Sequence, residues 1–356
     1  MQNHRIATLI LFSLLAVNDI HAFSTTWTRK SSSISTSTST STHLNSEPTS
    51  ASSSSTDAPL PSSTFEWNRN NAKPSDNWEL DCYSRPVVID GKKLWEVLIT
   101  DSSGSFRMCE ALPSNRVNSR ELRRVVESAI DEAEVKPSTI RFFRGAMFNM
   151  INIALSEVDL IAKPSRATYS LAQWLEERER EVYPKMEGYR QSMAGVDPSG
   201  SSFLDIRTPV KLPDALRGEK YAFVSLPLAE FKEGGGVSED NIGVGRLCPV
   251  DEDLPGDAFV QGIVLMTPRA SGLASWLGGT EVASLKCDLR RRTLVMEADI
   301  STQYLMAKLN DEQRSEGKVF EQGKEQLRGL HFVCVQKDED DDEPAGFWLL
   351  REMKGM

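Results

Sequence analysis

The 356 residues carry 41 basic and 51 acidic side chains, a net charge of −10, with four histidines and five cysteines. That acidic balance argues against a protein that coats nucleic acid by bulk electrostatics, although local basic clusters could still bind it. The length leaves room for two ordinary domains once a leader is set aside.

The chain opens on His4 and Arg5, followed by the apolar run Ile6 to Val17. A short basic start before an apolar core of this length is the build of a secretory signal peptide. It is too short to span a bilayer, which takes roughly 20 apolar residues. Ala22 supplies the small residue before a cut, so cleavage is expected between Ala22 and Phe23. From Ser24 to Thr64, 26 of 41 residues are Ser or Thr, with only Glu47 and Asp57 acidic. Serine-rich, acid-poor stretches are typical of organelle transit peptides, and such a segment buries too little apolar surface to fold. The pair resembles the bipartite leaders of algae whose plastids lie inside the endomembrane system. The competing reading is a signal peptide followed by an O-glycosylated stalk. No later segment is long and apolar enough to span a membrane.

The expected division is a signal peptide at 1–22, a transit peptide at 23–64 and a linker at 65–77. An N-terminal α/β domain at 78–186, a linker at 187–212 and a C-terminal α+β domain at 213–356 follow. His4, His21 and His43 all fall in the leader, which leaves His331 alone in the mature chain. Histidine-rich metal sites are thereby nearly excluded, and one candidate remains for a Ser-His or Cys-His pair. Cys82, Cys109, Cys248, Cys287 and Cys334 are scattered and odd in number, which suggests buried thiols rather than a disulfide framework.

Trp78 to Asp101 reads as a hairpin turning on Asp90-Gly91, because both turn residues must take positive φ. Ser105 to Leu112 adds a third strand. A helix follows, capped by Asn118 with Glu121 placed to reach back, and with Leu122, Val125, Val126 and Ala129 on one face. Ile140 to Phe143 is a short strand, 145–158 a second helix and Leu160 to Ala162 a brief strand. A third helix starts at Ser170, with Gln173 in capping-box register, and stops at Pro184. The order β-β-β-α-β-α-β-α matches ribonuclease H-like domains, a fold-level analogy only.

Beyond the linker, Tyr221–Leu226 and Phe259–Met266 read as strands, and Gly234–Gly236 as a flexible loop. A helix over 271–277 is closed by Gly278-Gly279 in C-cap position. Glu281–Cys287 and Thr293–Ile300 form a hairpin around Arg290–Arg292. A polar helix is expected over Gln303–Leu327, before strands Leu330–Val335 and Phe347–Leu350 joined by the acidic loop Asp338–Glu343. The fold class is mixed α/β (α+β), the second domain being mostly antiparallel sheet with helices.

Nuclease chemistry on this scaffold would gather Asp81 with Glu121 or Glu127 around two metal ions. The fourth strand instead carries Arg141 and Arg144, whose charge would repel a divalent ion. The glycines at 234–236 and 243–245 lack the spacing of a phosphate loop. Arg141, Arg144, Lys163 and Arg166 lie on or after two strands that could be neighbours. They form the candidate phosphate-contacting patch, or else neutralise acidic residues such as Glu176, Glu177 and Glu179. His331, in an apolar strand, reads as a packed residue. Trp95, Trp174, Trp276 and Trp348 read first as core.

Seven stretches taken together resemble a known family. They are WELDCYSRPVVIDGKKLWEVLI (78–99), IRFFRGAM (140–147), KPSRATYSLAQWLEEREREVYP (163–184), GEKYAFVSLP (218–227), PRASGLASWLGGTEV (268–282), GLHFVCVQ (329–336) and GFWLL (346–350). Their sequence and order resemble the TAB-type plastid RNA-binding translation activators of oxygenic phototrophs. The resemblance implies a stromal protein that binds the leader of a plastid mRNA, best known for a photosystem I reaction-centre subunit. It implies an activator of translation that supports photosystem biogenesis and works with the plastid translation machinery. It also implies no enzyme activity, metal or small-molecule cofactor. Tyr221 stands where the family usually has Trp, and the tail REMKGM follows Leu350; Trp348, Leu349 and Leu350 form a possible contact motif. The competing classes are a protein-interaction scaffold for translation or photosystem assembly, without RNA recognition, and a residual nuclease using Asp81 and Glu121.

Overall fold

The computed structural model describes residues 21–22, 60–193, 208–213, 216, 220–339, 341 and 343–353. Nearly all of the expected leader, and most of the linker at 187–212, lie outside the described residues. The fold class is mixed α/β, built among the described residues on three sheets.

The first lobe grows from one long hairpin. β2 (Asn77–Ile89) and β3 (Lys92–Asp101) pair antiparallel, and Asp90 (φ 47) and Gly91 (φ 73) make the turn, as their residue types predict. β4 (Arg107–Leu112) adds to β3, and β1 (Thr64–Glu66), which the sequence reading placed in leader and linker, pairs with β4 at the edge. β5 (Thr139–Phe142) and β6 (Ile161–Pro164) extend the other side in parallel, so the order is β1-β4-β3-β2-β5-β6. Three antiparallel strands followed by two parallel strands reached over helices is the element order that the sequence predicts.

Alternation along β2 sorts its side chains. Trp78, Leu80 and Cys82 enter the core beneath α1 (Ser119–Glu132) and α2 (Phe148–Ser156), while Glu79 and Asp81 take the opposite face. Asn118 caps α1 through Glu121 N–H, but the Glu121 carboxylate bonds Arg124 instead of reaching back. α3 (Tyr169–Glu177) has no side-chain cap: Ser170 bonds Ser102 O and Gln173 bonds Asp251, so tertiary contacts take the groups expected in a capping box. The helix does not stop at Pro184. It runs on through a π turn (Arg178–Val182) into a 3₁₀ turn that accommodates the proline in its first positions. Residues 188–190 of the expected linker lie against the end of β2, with Val88 N–H on Gly188 O and Arg190 N–H on Pro86 O.

The second lobe contains two sheets. β8 (Lys220–Pro227), β10 (Phe259–Met266), β14 (Leu330–Gln336), β15 (Gly346–Arg351) and β9 (Val244–Leu247) follow one another in the larger, and the two-residue strand His21–Ala22 pairs with the free side of β8. The smaller is β11 (Val282–Asp288), β12 (Thr293–Ala298), β13 (Thr302–Lys308) and β7 (Val210–Lys211). α4 (Ala270–Thr280) and α5 (Asp311–Gln326) contribute Leu273, Ala274, Leu277 and Phe320 to a core shared with both sheets.

Two further expectations need correction. Gln303–Lys308 is a strand, because Asp299 in left-handed conformation (φ 52) folds the chain back on β12; helix begins only at Asp311, where Asn310 and Gln313 make a full capping box. Gly278 and Gly279 lie inside α4, and the left-handed residue after it is Glu281 (φ 54). The 243–245 glycines form the start of β9, where a Cβ on Gly245 would overlap the carbonyl of Phe347 on β15. Gly245→Ala should therefore cost roughly 2–3 kcal/mol, near the top of the common range for single substitutions. Gly279→Ala, with nothing near its Cβ in an exposed helix turn, should gain about 0.5–1 kcal/mol. Urea denaturation of both variants reads the contrast, and equal effects would contradict this account of the two glycines.

Candidate nucleic-acid interface

Two buried carboxylates on one face of β2 set the electrostatics of the seam between the lobes. A buried carboxylate must be paired or neutralised, since burial alone disfavours its charge. Asp81 accepts from Arg85 Nη1 (2.8 Å) and from Arg144 Nε (3.0 Å), whose guanidinium lies over the Tyr83 and Phe143 rings. Burial pushes the Asp81 pKa up, but Arg144 and Arg85 outweigh it and hold it below the ordinary value. Arg85 sits where the β2–β3 register slips around Pro86, and it also reaches Glu96, which in turn accepts from Arg178 and the Tyr183 hydroxyl. Glu79 accepts from Leu171 N–H at the start of α3 (2.8 Å) and from Arg246 Nη2 on β9 (2.9 Å). Burial dominates there and raises its pKa to about 7, against the opposing effect of Arg246.

The four cations of the predicted patch are placed by β5, β6 and the turns after them. Arg141 and Lys163 are register partners on the two strands. Arg141 grips Glu281 through Nε (2.6 Å) and Nη2 (3.1 Å) and gives Nη1 to Asn77, while Lys163 Nζ stands 3.2 Å from the same carboxylate. Glu281 caps α4 in left-handed conformation, so the helix end itself presents the acid. Burial would raise its pKa; the Arg141 hydrogen bonds and charge, aided by Arg246 and Lys163, bring it down to about 2. Arg166 lies on Glu297, which also accepts from Ser284 and Gln303. Arg144 is on Asp81. Three of the four are therefore buried, and their charge is spent on carboxylates inside the protein; Lys163, with 37% of its side chain exposed, is the member open to solvent. The acids they neutralise are Asp81, Glu281 and Glu297, not the Glu176–Glu179 run.

Trp348, Leu349 and Leu350 lie within β15, between β14 and β9, and all three are buried. Of the tail beyond them, Arg351 bonds Asp251 and Pro249 O within the second lobe, and Met353 reaches across to a cluster with Leu98, Phe143 and Trp174 of the first. His331 is fully buried; Nε2 accepts from Leu285 N–H (2.8 Å), so Nδ1 carries the proton to Gly329 O (2.7 Å). Burial, with the nearby Lys324 charge, lowers its pKa to about 3, so it is neutral at physiological pH. Glu121 and Glu127 lie on the exposed side of α1 beside Arg124 and Arg123, away from Asp81. All five cysteines are free and buried.

The lobes leave a cleft of about 1060 Å³ beside the seam. Lys73, Asn77, Ser103 and Arg141 line it from the first lobe, and Arg246, Ser275, Glu281 and Trp348 from the second. Sequence reasoning missed Glu79 and Arg246. The available signal for Glu79 was the alternation W-E-L-D, which puts two acids on one face of a central strand; nothing local marked Arg246 as its partner.

Comparison with known proteins places this architecture. Residues 77–178 match the model for the RNA-binding protein Tab2/Atab2 N terminal, and residues 199–351 match that for the RNA-binding protein Tab2/Atab2 C-terminal domain. The chain belongs to the Tab2/Atab2 family. It is 34% identical over 293 residues to the chloroplastic TAB2 homolog of Arabidopsis thaliana, covering 80% of this chain and 76% of that one. The chloroplastic TAB2 homolog of Zea mays is 34% identical over 283 residues, 78% of this chain and 71% of the relative. A chain in a simian T-cell lymphotropic virus intasome with a PP2A regulatory subunit aligns over 35% of this chain and 46% of its own, at 15% identity and TM-score 0.25, too low to support any argument. This Tab2/Atab2 member is a plastid protein, and among its described residues no helix is long and apolar enough to cross a membrane.

The Arg141–Glu281 pair gives a test by pH. A folded pKa near 2 against 4.5 means stability that is present above pH 4.5 and is lost as pH falls toward 2. Glu281→Gln should cost of order 3 kcal/mol at pH 7, with more than half of that difference gone at pH 3. Urea titrations at the two pH values measure it, and a pH-independent difference would show that the pair is not the cause. Glu79 acts in the opposite sense: its contribution is full below about pH 4.5 and fades as pH rises through 7.

Proposed function

We propose that this chain binds the leader of a plastid mRNA in the stroma and activates its translation. By family resemblance the transcript encodes a photosystem I reaction-centre subunit, and the consequence is photosystem biogenesis. The observation that carries the reading is the match to both halves of an RNA-binding family in consecutive segments, 77–178 and 199–351. The protein acts by binding, without catalysis, metal or small-molecule cofactor, and works beside the plastid translation machinery. Two facts support a non-catalytic role: guanidiniums enclose Asp81 where a nuclease would bind metal, and the one histidine beyond the leader is buried and neutral. Of the predicted contacts, we take Lys163 as the phosphate-facing member, because 37% of its side chain is exposed and Arg141 also holds the Glu281 carboxylate that it touches. Arg141, Arg144 and Arg166 hold the surface in shape, and Trp348–Leu350 do so from within β15.

One observation favours the second reading, a protein-interaction scaffold without RNA recognition: most of the patch charge is already paired in a chain of net charge −10. Salt dependence separates the two. A single-stranded leader contacted at about four phosphates should lose affinity with a log–log slope near −3, roughly 50-fold between 50 and 200 mM salt. Filter binding of the processed protein to a labelled leader of a photosystem I reaction-centre mRNA measures this. No binding, or binding indifferent to salt, would favour the scaffold.

A further inference from the structure

The hairpin tip between β11 and β12 carries more charge than the fold uses. Leu289 to Arg292 make the connection, and Arg290, Arg291 and Arg292 are all exposed. The backbone beneath them is pinned. Asp288 Oδ1 accepts from Arg290 N–H (3.0 Å) and from Arg291 N–H (2.8 Å). Arg292 closes the turn in left-handed conformation (φ 54), and its carbonyl accepts from Leu309 N–H. α5 brings a fourth guanidinium to the same place: exposed Arg314 gives Nε to Leu289 O at 3.2 Å.

The local balance is positive in a chain of net charge −10. Four guanidiniums face two carboxylates: Asp288 stands 3.6 Å from Arg291, and Asp311, itself 84% exposed, stands 3.0 Å from Arg292. Exposed pairs of this kind are weak and open readily. Glu312 and Glu316 lie two residues to either side of Arg314, which on a helix is the opposite side, and Glu316 acts on Tyr221 of β8. Among the described residues the Arg290 guanidinium has no hydrogen-bond or ion-pair partner, and neither do the two terminal nitrogens of Arg314. In the 141–166 patch, by contrast, three of four cations are buried on internal acids.

We infer that this tip, together with Arg314, is the surface that takes the phosphates of the bound RNA. The assignment rests on the RNA-binding reading above. Guanidiniums meet phosphate oxygens in bidentate pairs, a match that a lysine ammonium does not make. A protein partner would need an apolar centre depleted of charge, and the one apolar residue of the tip, Leu289, packs inward on the second-lobe core. The tip stands at the far end of β11 from Glu281 and Lys163, roughly 20 Å away over seven residues, so it is a contact separate from the predicted patch. Phosphate contacts hold the strand without reading its sequence.

The test uses the processed full chain with two fluorescein-labelled single-stranded 20-nucleotide RNAs, one of mixed sequence and one of uridine alone. Anisotropy is read between 50 and 200 mM salt. Arg290→Gln/Arg314→Gln removes two cations from the tip, and Arg116→Gln/Arg120→Gln removes two from exposed positions at the start of α1. The tip pair should weaken both RNAs about ten-fold and bring the log–log salt slope from near −3 to about −1.5, since each phosphate contact contributes about 0.7. The α1 pair should stay within about two-fold, and Arg290→Lys/Arg314→Lys should keep the parent slope. Matching thermal melting curves show that each variant is folded. Equal weakening by the two Gln pairs would reduce the effect to net charge and overturn the tip. So would parent-like binding by the tip pair, or a loss confined to one RNA, and each of these leaves the RNA reading standing. A parent chain that binds neither RNA overturns that reading and the tip with it.

Discussion

Burying carboxylates on the second face of β2 is the constraint around which the molecule is organised. A strand in the middle of a sheet has two faces to cover, and here one is apolar while the other carries Glu79 and Asp81. Neither acid can stay charged in the interior without a partner. Asp81 is served within its own lobe by Arg85 and Arg144. Glu79 is served by Arg246, which comes from the other lobe, so its satisfaction and the docking of the lobes are one event. The Arg141–Glu281 and Arg166–Glu297 pairs repeat this arrangement across the same seam. Replacing one partner leaves the other stranded, so the seam tolerates joint changes better than single ones.

The same charges explain how a nuclease-like strand order can serve as a binding scaffold. Where such a fold would collect carboxylates around metal, guanidiniums already fill the space, held by aromatic rings as well as by ion pairs. A divalent ion entering there would have to displace two arginines from Asp81.

Local chemistry made much of the fold legible in sequence. Asp90-Gly91 specified its turn because few residue pairs accept two positive φ angles, and Asn118 marked a helix start through a bond three residues away. Gln303–Lys308 was misread because its polar composition suits a surface helix, while the decision to pair with β12 is made by the turn before it. The site was half legible. Arg141, Arg144, Lys163 and Arg166 stood out as cations on neighbouring strands, but their role depends on acids elsewhere in the fold. Glu281 lies 140 residues from Arg141 and 118 from Lys163, beyond any local pattern. Arg246 was invisible for the same reason: its environment is assembled entirely by tertiary structure.

Met353, on the segment after β15, completes with its side chain a cluster around Trp174 in the first lobe. The first lobe therefore cannot close this cluster from its own residues. Expressed without the second lobe, it would present an unsealed apolar surface, the kind of surface that invites aggregation.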